Sequence, residues 1–152
     1  MKTVIYNSKL ANLLLADGYA AIMLLGLVFV KGTNLSQSQL EHEKVHQGQF
    51  MDCFSVGLIF AIITMFVLLA FDIVSWWMLL LSLIPVGLFY VLYGIEWLTR
   101  LIQLQDSNQA YLQVSFEREA YDLQDEYKKP CAERRSRHSF SWFKYYRWVK
   151  DV

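Results

Sequence analysis

The chain has 152 residues with 14 basic and 14 acidic side chains, so its formal net charge is zero. This balance argues against a polyanionic partner, and we expect no nucleic-acid binding. Hydrophobic residues make up 55% of the chain and charged residues 18%. Typical soluble domains have about 45–50% and about 25%, so the composition favours a membrane protein, with residues 1–152 as a single domain.

The N-terminal segment, residues 1–35, is largely apolar but has no clear secretory signal or small-residue cleavage site. Its apolar run over residues 19–30 is shorter than the about 20 residues that a transmembrane helix needs, and this length suits a buried strand or hairpin. Counted together, residues 11–30 also fit a transmembrane helix. The sequence leaves a strand and a membrane span as equal alternatives here.

A helix is predicted over residues 36–53, because its first residue is a capping serine and Gln39 completes a capping-box pattern. This helix carries an H-E-x-x-H motif that begins at His42 and ends at His46. Histidines at this spacing lie on one helix face, where both imidazoles can reach one zinc ion. The motif therefore predicts a zinc site in which Glu43 acts as the base on a metal-bound water.

Two long uncharged stretches predict a transmembrane helical hairpin over residues 54–95. The first, residues 54–71, has 18 residues without a charge, close to the about 20 that span a bilayer. Asp72 ends this stretch. The second, residues 73–95, has aromatic residues near both ends, as in interfacial belts, and Pro85 predicts a kink in its helix.

Charge asymmetry predicts the orientation of this hairpin. Basic residues flank it on both sides, whereas the turn around Asp72 carries none. The positive-inside rule then places both flanks in the cytoplasm. We expect an integral protein of the bacterial inner membrane with its zinc site on the cytoplasmic side. The alternative is a soluble, very apolar helical pair that packs against another protein.

The rest of the chain comprises residues 96–130 and a basic aromatic tail, residues 131–152. A polar helix is predicted over residues 110–127, and Pro130 ends it. Cationic aromatic segments beside a membrane commonly lie on anionic lipid, so we expect the tail on the bilayer surface rather than on nucleic acid.

A catalytic zinc site has three protein ligands and a water, so the two histidines do not complete it. The candidates for the third ligand are Glu96, Glu117, Glu119 and His138. At about 100° per residue, Glu117 and Glu119 point roughly 160° apart, so only one of them can face the histidines. Gln49, two turns after His42, can orient a ligand or the substrate. Tyr121 can hydrogen-bond an oxyanion as a second catalytic residue, or it can simply pack.

The segment Phe116–Tyr121, F-E-R-E-A-Y, resembles the E-x-x-A pattern of the gluzincin branch of zinc metallopeptidases. In membrane-embedded members of that branch the ligand is the glutamate three residues before the alanine, which implies Glu117. The gluzincin resemblance also implies a strand beside the zinc, where substrate adds as a further strand. Residues 24–30 are the candidate for that strand.

The chain also resembles a family of small Bacteroidetes proteins with the blocks H-E-x-x-H-x-x-Q, F-Y-x-x-Y-x-x-E-x-L-x-R, and A-Y followed by F-E-x-E-A-Y. The matching residues are 42–49, 89–100 and 110–121. The stretch between Cys53 and Pro85 is longer here than in that family. These resemblances imply that His42, His46 and Glu117 bind Zn²⁺.

These features predict a mainly α-helical membrane protein with a transmembrane helical hairpin, a minimal zincin-like two-helix metal site and a short edge strand before the H-E-x-x-H helix. The expected function is a membrane-associated zinc metallopeptidase. Its expected partners are the lipid bilayer and a peptide or protein substrate. The alternative is a non-enzymatic integral membrane protein with a structural or assembly role, whose metal site is incidental or structural.

Overall fold

The computed structural model describes residues 4–15 and 18–146, which are mainly helical, with 67% helix and 7% strand. In chain order the elements are β1 (Val4–Ile5), α1 (Lys9–Leu14), β2 (Ala21–Leu24), β3 (Leu27–Val30), α2 (Gln37–Ala70), α3 (Leu83–Leu104), α4 (Ser107–Leu112) and α5 (Ser115–Leu123). Short 3-10 segments lie at Trp76–Ser82, Glu126–Lys128, Cys131–Glu133 and Ser141–Tyr145. The prediction of a mainly α fold is confirmed. The start of the N-terminal segment and the end of the predicted tail, residues 147–152, lie outside the described residues.

The N-terminal segment forms a small sheet in the order β1-β3-β2, with β2 and β3 as an antiparallel hairpin. The hairpin turn is Leu25–Gly26, and both residues have positive φ, 53° and 77°, as the tight turns that match strand twist require. The alternative of a membrane span over residues 11–30 is wrong. α1 ends at Leu14, and the strands β2 and β3 occupy Ala21–Leu24 and Leu27–Val30, so this stretch forms no continuous helix.

The turn of this hairpin is fixed to the two long helices. The Leu25 N–H donates to the Tyr90 hydroxyl at 2.6 Å. The Gln47 side chain donates to the Gly26 carbonyl at 2.8 Å. Since Gln47 lies on α2 and Tyr90 on α3, the sheet is held beside the first turns of the H-E-x-x-H helix.

Helix α2 begins where its sequence predicts. The Ser36 hydroxyl accepts from the Gln39 N–H at 3.2 Å, and the Gln39 side chain accepts from the Ser36 N–H at 3.1 Å. The helix then runs for 34 residues, and it ends just before Asp72 takes a positive φ of 55°. The motif and the first apolar stretch therefore share one continuous, well-capped helix.

Helices α2 and α3 pack closely. A Cβ on Gly57 would lie 2.7 Å from the Pro85 Cα, so only glycine permits this approach. Pro85, where the sequence predicts a kink, lies in the first turn of α3, a position at which a missing N–H is tolerated. The irregular part of the second apolar stretch is the 3-10 segment Trp76–Ser82 before it.

Two helical stretches are long and apolar enough to cross a membrane: Gln37–Ala70 and Trp76–Leu104. Their most apolar windows have mean hydropathies of 2.7 and 2.2. Only 17% and 11% of those windows are buried inside the protein, so most of their apolar surface faces outward. A core helix of a soluble protein is mostly buried, and these two helices are not.

The polar stretch predicted as one helix over residues 110–127 forms two helices, α4 and α5. The Ser115 N–H and hydroxyl donate to the Glu96 carboxylate at 3.0 and 2.6 Å. Glu96 thus caps the start of α5 from α3, which restarts the helix at this point. The Arg100 guanidinium lies 3.5 Å from the same carboxylate, as the spacing of the two residues predicts.

A cluster of buried aromatic side chains joins α2, α3, α5 and the C-terminal segment. Phe89 packs against Phe50 and Phe116 with ring centroids 6.1 and 5.2 Å apart. Trp142 stacks on Phe116 at 4.2 Å. Aromatic contacts at these distances add to the area that they bury, so this cluster fixes α5 against the H-E-x-x-H helix.

The described part of the basic aromatic tail packs on the protein, and its place on the bilayer surface stays a prediction. Arg135 forms an ion pair with Asp122, and Arg137 pairs with Asp52. Those carboxylates hold the two guanidinium groups on α5 and α2. The tail covers α5 because its cations find acidic partners on α2 and α5.

Candidate metal centre

The two motif histidines face Glu117 across the packed helices. The Nε2 atoms of His42 and His46 are 3.1 Å apart. Glu117 places Oε2 3.2 Å from His42 Nε2 and Oε1 3.2 Å from His46 Nε2. All three side chains are buried, and their ligand atoms lie within 4.8 Å of one another. The fold therefore brings together the three residues predicted as metal ligands.

These contacts fit a small metal ion. Tetrahedral bonds of about 2.0–2.1 Å separate neighbouring donor atoms by about 3.3 Å, close to the 3.1 and 3.2 Å found here. The buried Glu117 Oε2 accepts no well-aligned hydrogen bond from any described residue. A cation would satisfy that oxygen, since an unpaired buried acceptor is costly. The group can bind a metal ion with little movement.

Charge coupling within the group is strong. Burial lowers the pKa of His46, but the Glu117 carboxylate outweighs it and raises that pKa to about 9. Burial raises the pKa of Glu117, but His46 and His42 hold it well below its usual range. A charged carboxylate thus meets a protonated imidazole, and a dication can replace that proton.

Tyr93 and Tyr111, two tyrosines that the sequence did not identify as functional, lie beside Glu117. The Tyr93 hydroxyl donates to Glu117 Oε1 at 2.9 Å. Tyr111 lines the same cavity, and burial together with the nearby Glu117 carboxylate raises the pKa of Tyr111. Both residues belong to the sequence blocks that carry the family resemblance. Their place in those blocks is the sequence signal that could have identified them as functional. Tyr93 also lies among the aromatic residues at the end of the second apolar stretch, where the sequence predicts an interfacial belt.

The other three candidates for the third ligand lie elsewhere. Glu119 is fully buried and accepts from Gln49 Nε2 at 2.7 Å, and it is not part of the group formed by His42, His46 and Glu117. Glu96 caps α5. His138 is exposed, as expected for a solvated histidine.

The two predicted catalytic residues have different surroundings. Glu43 lines the same cavity as His42, His46 and Glu117. Burial raises the pKa of Glu43, and the two histidines partly offset the shift. Tyr121 instead packs edge-on against His42 with ring centroids 4.6 Å apart, and it is not among the described residues that line the cavity. Tyr121 thus lies beside a predicted metal ligand, and its contact with an oxyanion stays a prediction.

A cavity of about 390 Å³ opens beside the three ligands. Apart from those ligands and Glu43, it is lined by Leu14, Leu15, Tyr19, Ala21, Ile22, Met23, Leu24, Phe89, Tyr90, Tyr93 and Tyr111. Its wall is therefore largely apolar, with tyrosine hydroxyls and two carboxylates as the polar groups. A cavity of this size can admit a side chain of a bound ligand.

The strand beside the cavity is β2, whereas residues 24–30 were predicted for that place. β3 lies in the middle of the sheet and β2 at its edge. Leu24 pairs with Leu27 next to the turn, so the alternation of an antiparallel ladder leaves the N–H and C=O groups of Ala21 and Met23 on the outer side. Within residues 4–15 and 18–146, no strand pairs with that outer side.

No family model, curated protein or solved structure matches the chain. The class of the site is defined by its own geometry: a buried His-His-Glu group that can bind a metal ion, with an acidic side chain and a cavity beside it.

Proposed function

We propose that this protein is a membrane-associated zinc metallopeptidase of the gluzincin type. The observation that carries the proposal is the buried triangle of His42, His46 and Glu117 donors with Glu43 in the adjoining cavity. Two imidazoles and one carboxylate form a donor set of catalytic zinc sites, in which a fourth position stays open. The metal group found among the described residues has three members, and a structural zinc site would need a fourth protein ligand.

Each residue of the site has a separate role in the proposed hydrolysis. Bound zinc activates a water at neutral pH and polarises a carbonyl. Glu43 takes the proton of the attacking water and passes it to the leaving amine. The raised pKa of Glu43 suits a group that must both accept and return a proton. Tyr93 keeps Glu117 in place through its hydrogen bond.

The substrate is a peptide in extended conformation that adds to the edge of β2. The outward N–H and C=O groups of Ala21 and Met23 supply main-chain hydrogen bonds along this edge. None of the described residues lining the cavity is a lysine or arginine, and the acids there are Glu43 and Glu117. The cavity therefore favours an apolar side chain next to the cleaved bond and disfavours an acidic one.

The membrane lies just beyond the metal site. Residues 54–71 and 73–95 cross the bacterial inner membrane as a hairpin, with their open ends in the cytoplasm. The outward-facing apolar surface of these helices supports this placement. His46 precedes Phe54 by eight residues on α2, which is about 12 Å along the helix at 1.5 Å per residue. On the second span the site is closer, because Tyr93, near the end of that span, donates to Glu117. Substrates near the cytoplasmic membrane surface are the ones within reach.

The test is hydrolysis of extended peptides by the purified, detergent-solubilised protein with and without Glu43→Gln. The variant keeps all three metal ligands, so we expect it to retain zinc and lose turnover by at least about 100-fold, the scale of general base catalysis. Unchanged hydrolysis in Glu43→Gln would reject the mechanism. Chelation should abolish the activity of the wild type, and added zinc should restore it.

A further inference from the structure

The Gln49 amide joins the metal ligand His46 to a second buried carboxylate. Its Nε2 donates to the Phe116 carbonyl at 2.9 Å and to Glu119 Oε2 at 2.7 Å. Its Oε1 lies 2.7 Å from His46 Nδ1. Gln49 and Glu119 are both fully buried, so water does not replace these partners.

This arrangement fixes which way the amide faces. Both N–H groups of Gln49 have an oxygen acceptor, and a flipped amide would set its own oxygen against those two acceptors. Gln49 Oε1 must therefore face His46 and accept a proton from Nδ1. With that proton on Nδ1, Nε2 of the neutral His46 ring carries the lone pair, and Nε2 is the atom aimed at His42 and Glu117.

The C-terminal segment holds Glu119 from its other side. The Ser141 hydroxyl donates to Glu119 Oε1, and Arg137 Nε lies 3.6 Å from Oε2. Arg137 also packs against Gly48 of α2. A Cβ on Gly48 would come within 2.8 Å of Arg137 Nη1. The Glu119 carboxylate is therefore held, and its charge compensated, by residues about 90 positions after the H-E-x-x-H motif.

We propose that Glu119 is a positioning residue of the metal centre, which acts through Gln49 to keep Nε2 of His46 free for the metal. The proposal rests on the metal-binding function proposed above and adds the C-terminal segment to that site. Residues that orient a metal-bound histidine in this way change metal affinity by about 10- to 100-fold when they are removed.

The first test measures zinc affinity of the purified full chain by competition with a chelator. Glu119→Gln keeps an oxygen that can accept from Gln49, whereas Glu119→Ala removes it. We expect zinc binding about 10- to 100-fold weaker in Glu119→Ala and near wild type in Glu119→Gln. Wild-type affinity in Glu119→Ala, or equal losses in both variants, would overturn the proposal.

The second test needs no variant, so it stands even if Glu119→Ala does not fold. The chain has three histidines, so selective ¹⁵N labelling of histidine gives a simple imidazole spectrum. We expect the zinc-loaded wild type to show His46 with a slowly exchanging Nδ1 proton and Nε2 on the metal. Metal on Nδ1 with the proton on Nε2 would overturn the proposal.

The two proposals fail in different ways. A wild type that binds no zinc would reject the metal function. In that case the Nδ1 proton of His46 still tests the contact with Gln49: slow exchange in the wild type supports the contact, and rapid exchange overturns it.

Discussion

Glu117 is a charged carboxylate in a buried place, and its two histidines keep it charged. Burial alone favours the neutral acid, but His46 and His42 hold the pKa of Glu117 well below its usual range. The same coupling raises the pKa of His46 to about 9. The pair of Glu117 and His46 stabilises the metal-free protein only while both residues keep their charge. When a divalent ion binds, its charge replaces that of the imidazolium.

Zinc and a proton should compete for His46. Because the pKa of His46 is raised to about 9, the ring is protonated at neutral pH in chelator-treated protein, and zinc must displace that proton. Zinc affinity should therefore rise with pH and level off above about pH 9, and proton release should fall from about one per zinc to none over the same range. Calorimetry in buffers of different ionisation enthalpy measures this release. Binding at pH 7 without proton release would contradict the coupling.

For single residues, the sequence predicts a zinc site but does not decide between Glu117 and Glu119 as the third ligand. His42, Glu43 and His46 are adjacent on one helix, so their shared face follows from helix geometry alone. Glu117 and Glu119 differ only in their angle on a nine-residue helix, and the sequence does not show which face of that helix meets α2. Packing of Phe116 against Phe89 and Trp142 decides it, and those contacts are long-range.

Among the elements, the contact between α2 and α3 depends on one glycine. Gly57→Ala would place a Cβ 2.7 Å from the Pro85 backbone and force the helices apart. We expect a loss of about 1–3 kcal/mol in the free energy of unfolding, as for other overpacked sites. The matched control is Gly87→Ala on α3, since its Cβ would meet nothing within 4 Å. Thermal unfolding in detergent compares them, and equal melting temperatures would contradict this close contact.

The outer edge of β2 is predicted to bind the substrate backbone. Ala21→Pro removes an outward N–H but leaves the bonds to β3, because proline is tolerated at a strand edge. One lost hydrogen bond of about 0.5–1.5 kcal/mol should lower kcat/KM for peptides by about 2- to 10-fold. Ile22→Pro is the contrasting variant, since its N–H faces β3 and the hairpin should come apart. Full peptide turnover in Ala21→Pro would count against strand addition.

Elements with local signals were predictable, and those set by distant contacts were not. Ser36 and Gln39 specify the start of α2 by themselves, and the helix begins there. The break between α4 and α5 depends on Glu96, which is 19 residues before Ser115 and caps it from another helix. For the hairpin of β2 and β3, the sequence left a strand or hairpin and a membrane span open, and the contacts of its turn with Tyr90 and Gln47 are long-range.

For the whole molecule, the proposed topology places the turn of the hairpin outside the inner membrane and its open ends in the cytoplasm. Asp72 lies at the turn between the two apolar stretches, and Cys131 is an exposed free cysteine in the C-terminal segment. In intact spheroplasts, a membrane-impermeant maleimide should label Asp72→Cys/Cys131→Ser and leave Cys131 of the wild type unlabelled. Detergent should then expose Cys131. Labelling of Cys131 without detergent would reverse the orientation, and a soluble protein in the lysate would reject the membrane placement.

The arrangement of the whole chain was the hardest feature to anticipate. Hydropathy alone delimits the two apolar stretches, since it depends on composition within a window. The folding of the C-terminal segment onto α5 depends on pairs such as Arg137 with Asp52, which lie 85 residues apart. Its composition, rich in cations and aromatic residues, suits a lipid surface equally well, so composition could not distinguish the two.

The central claim is that His42, His46 and Glu117 hold one zinc ion, and the metal content of purified protein tests it most directly. Wild type and Glu119→Gln should each carry about one zinc per chain, whereas His46→Ala and Glu117→Gln should lose it. Elemental analysis of the four proteins, purified in parallel, gives the answer. Stoichiometric zinc in a His42→Ala/His46→Ala double variant, or zinc lost in Glu119→Gln but kept in Glu117→Gln, would contradict this assignment of the ligands.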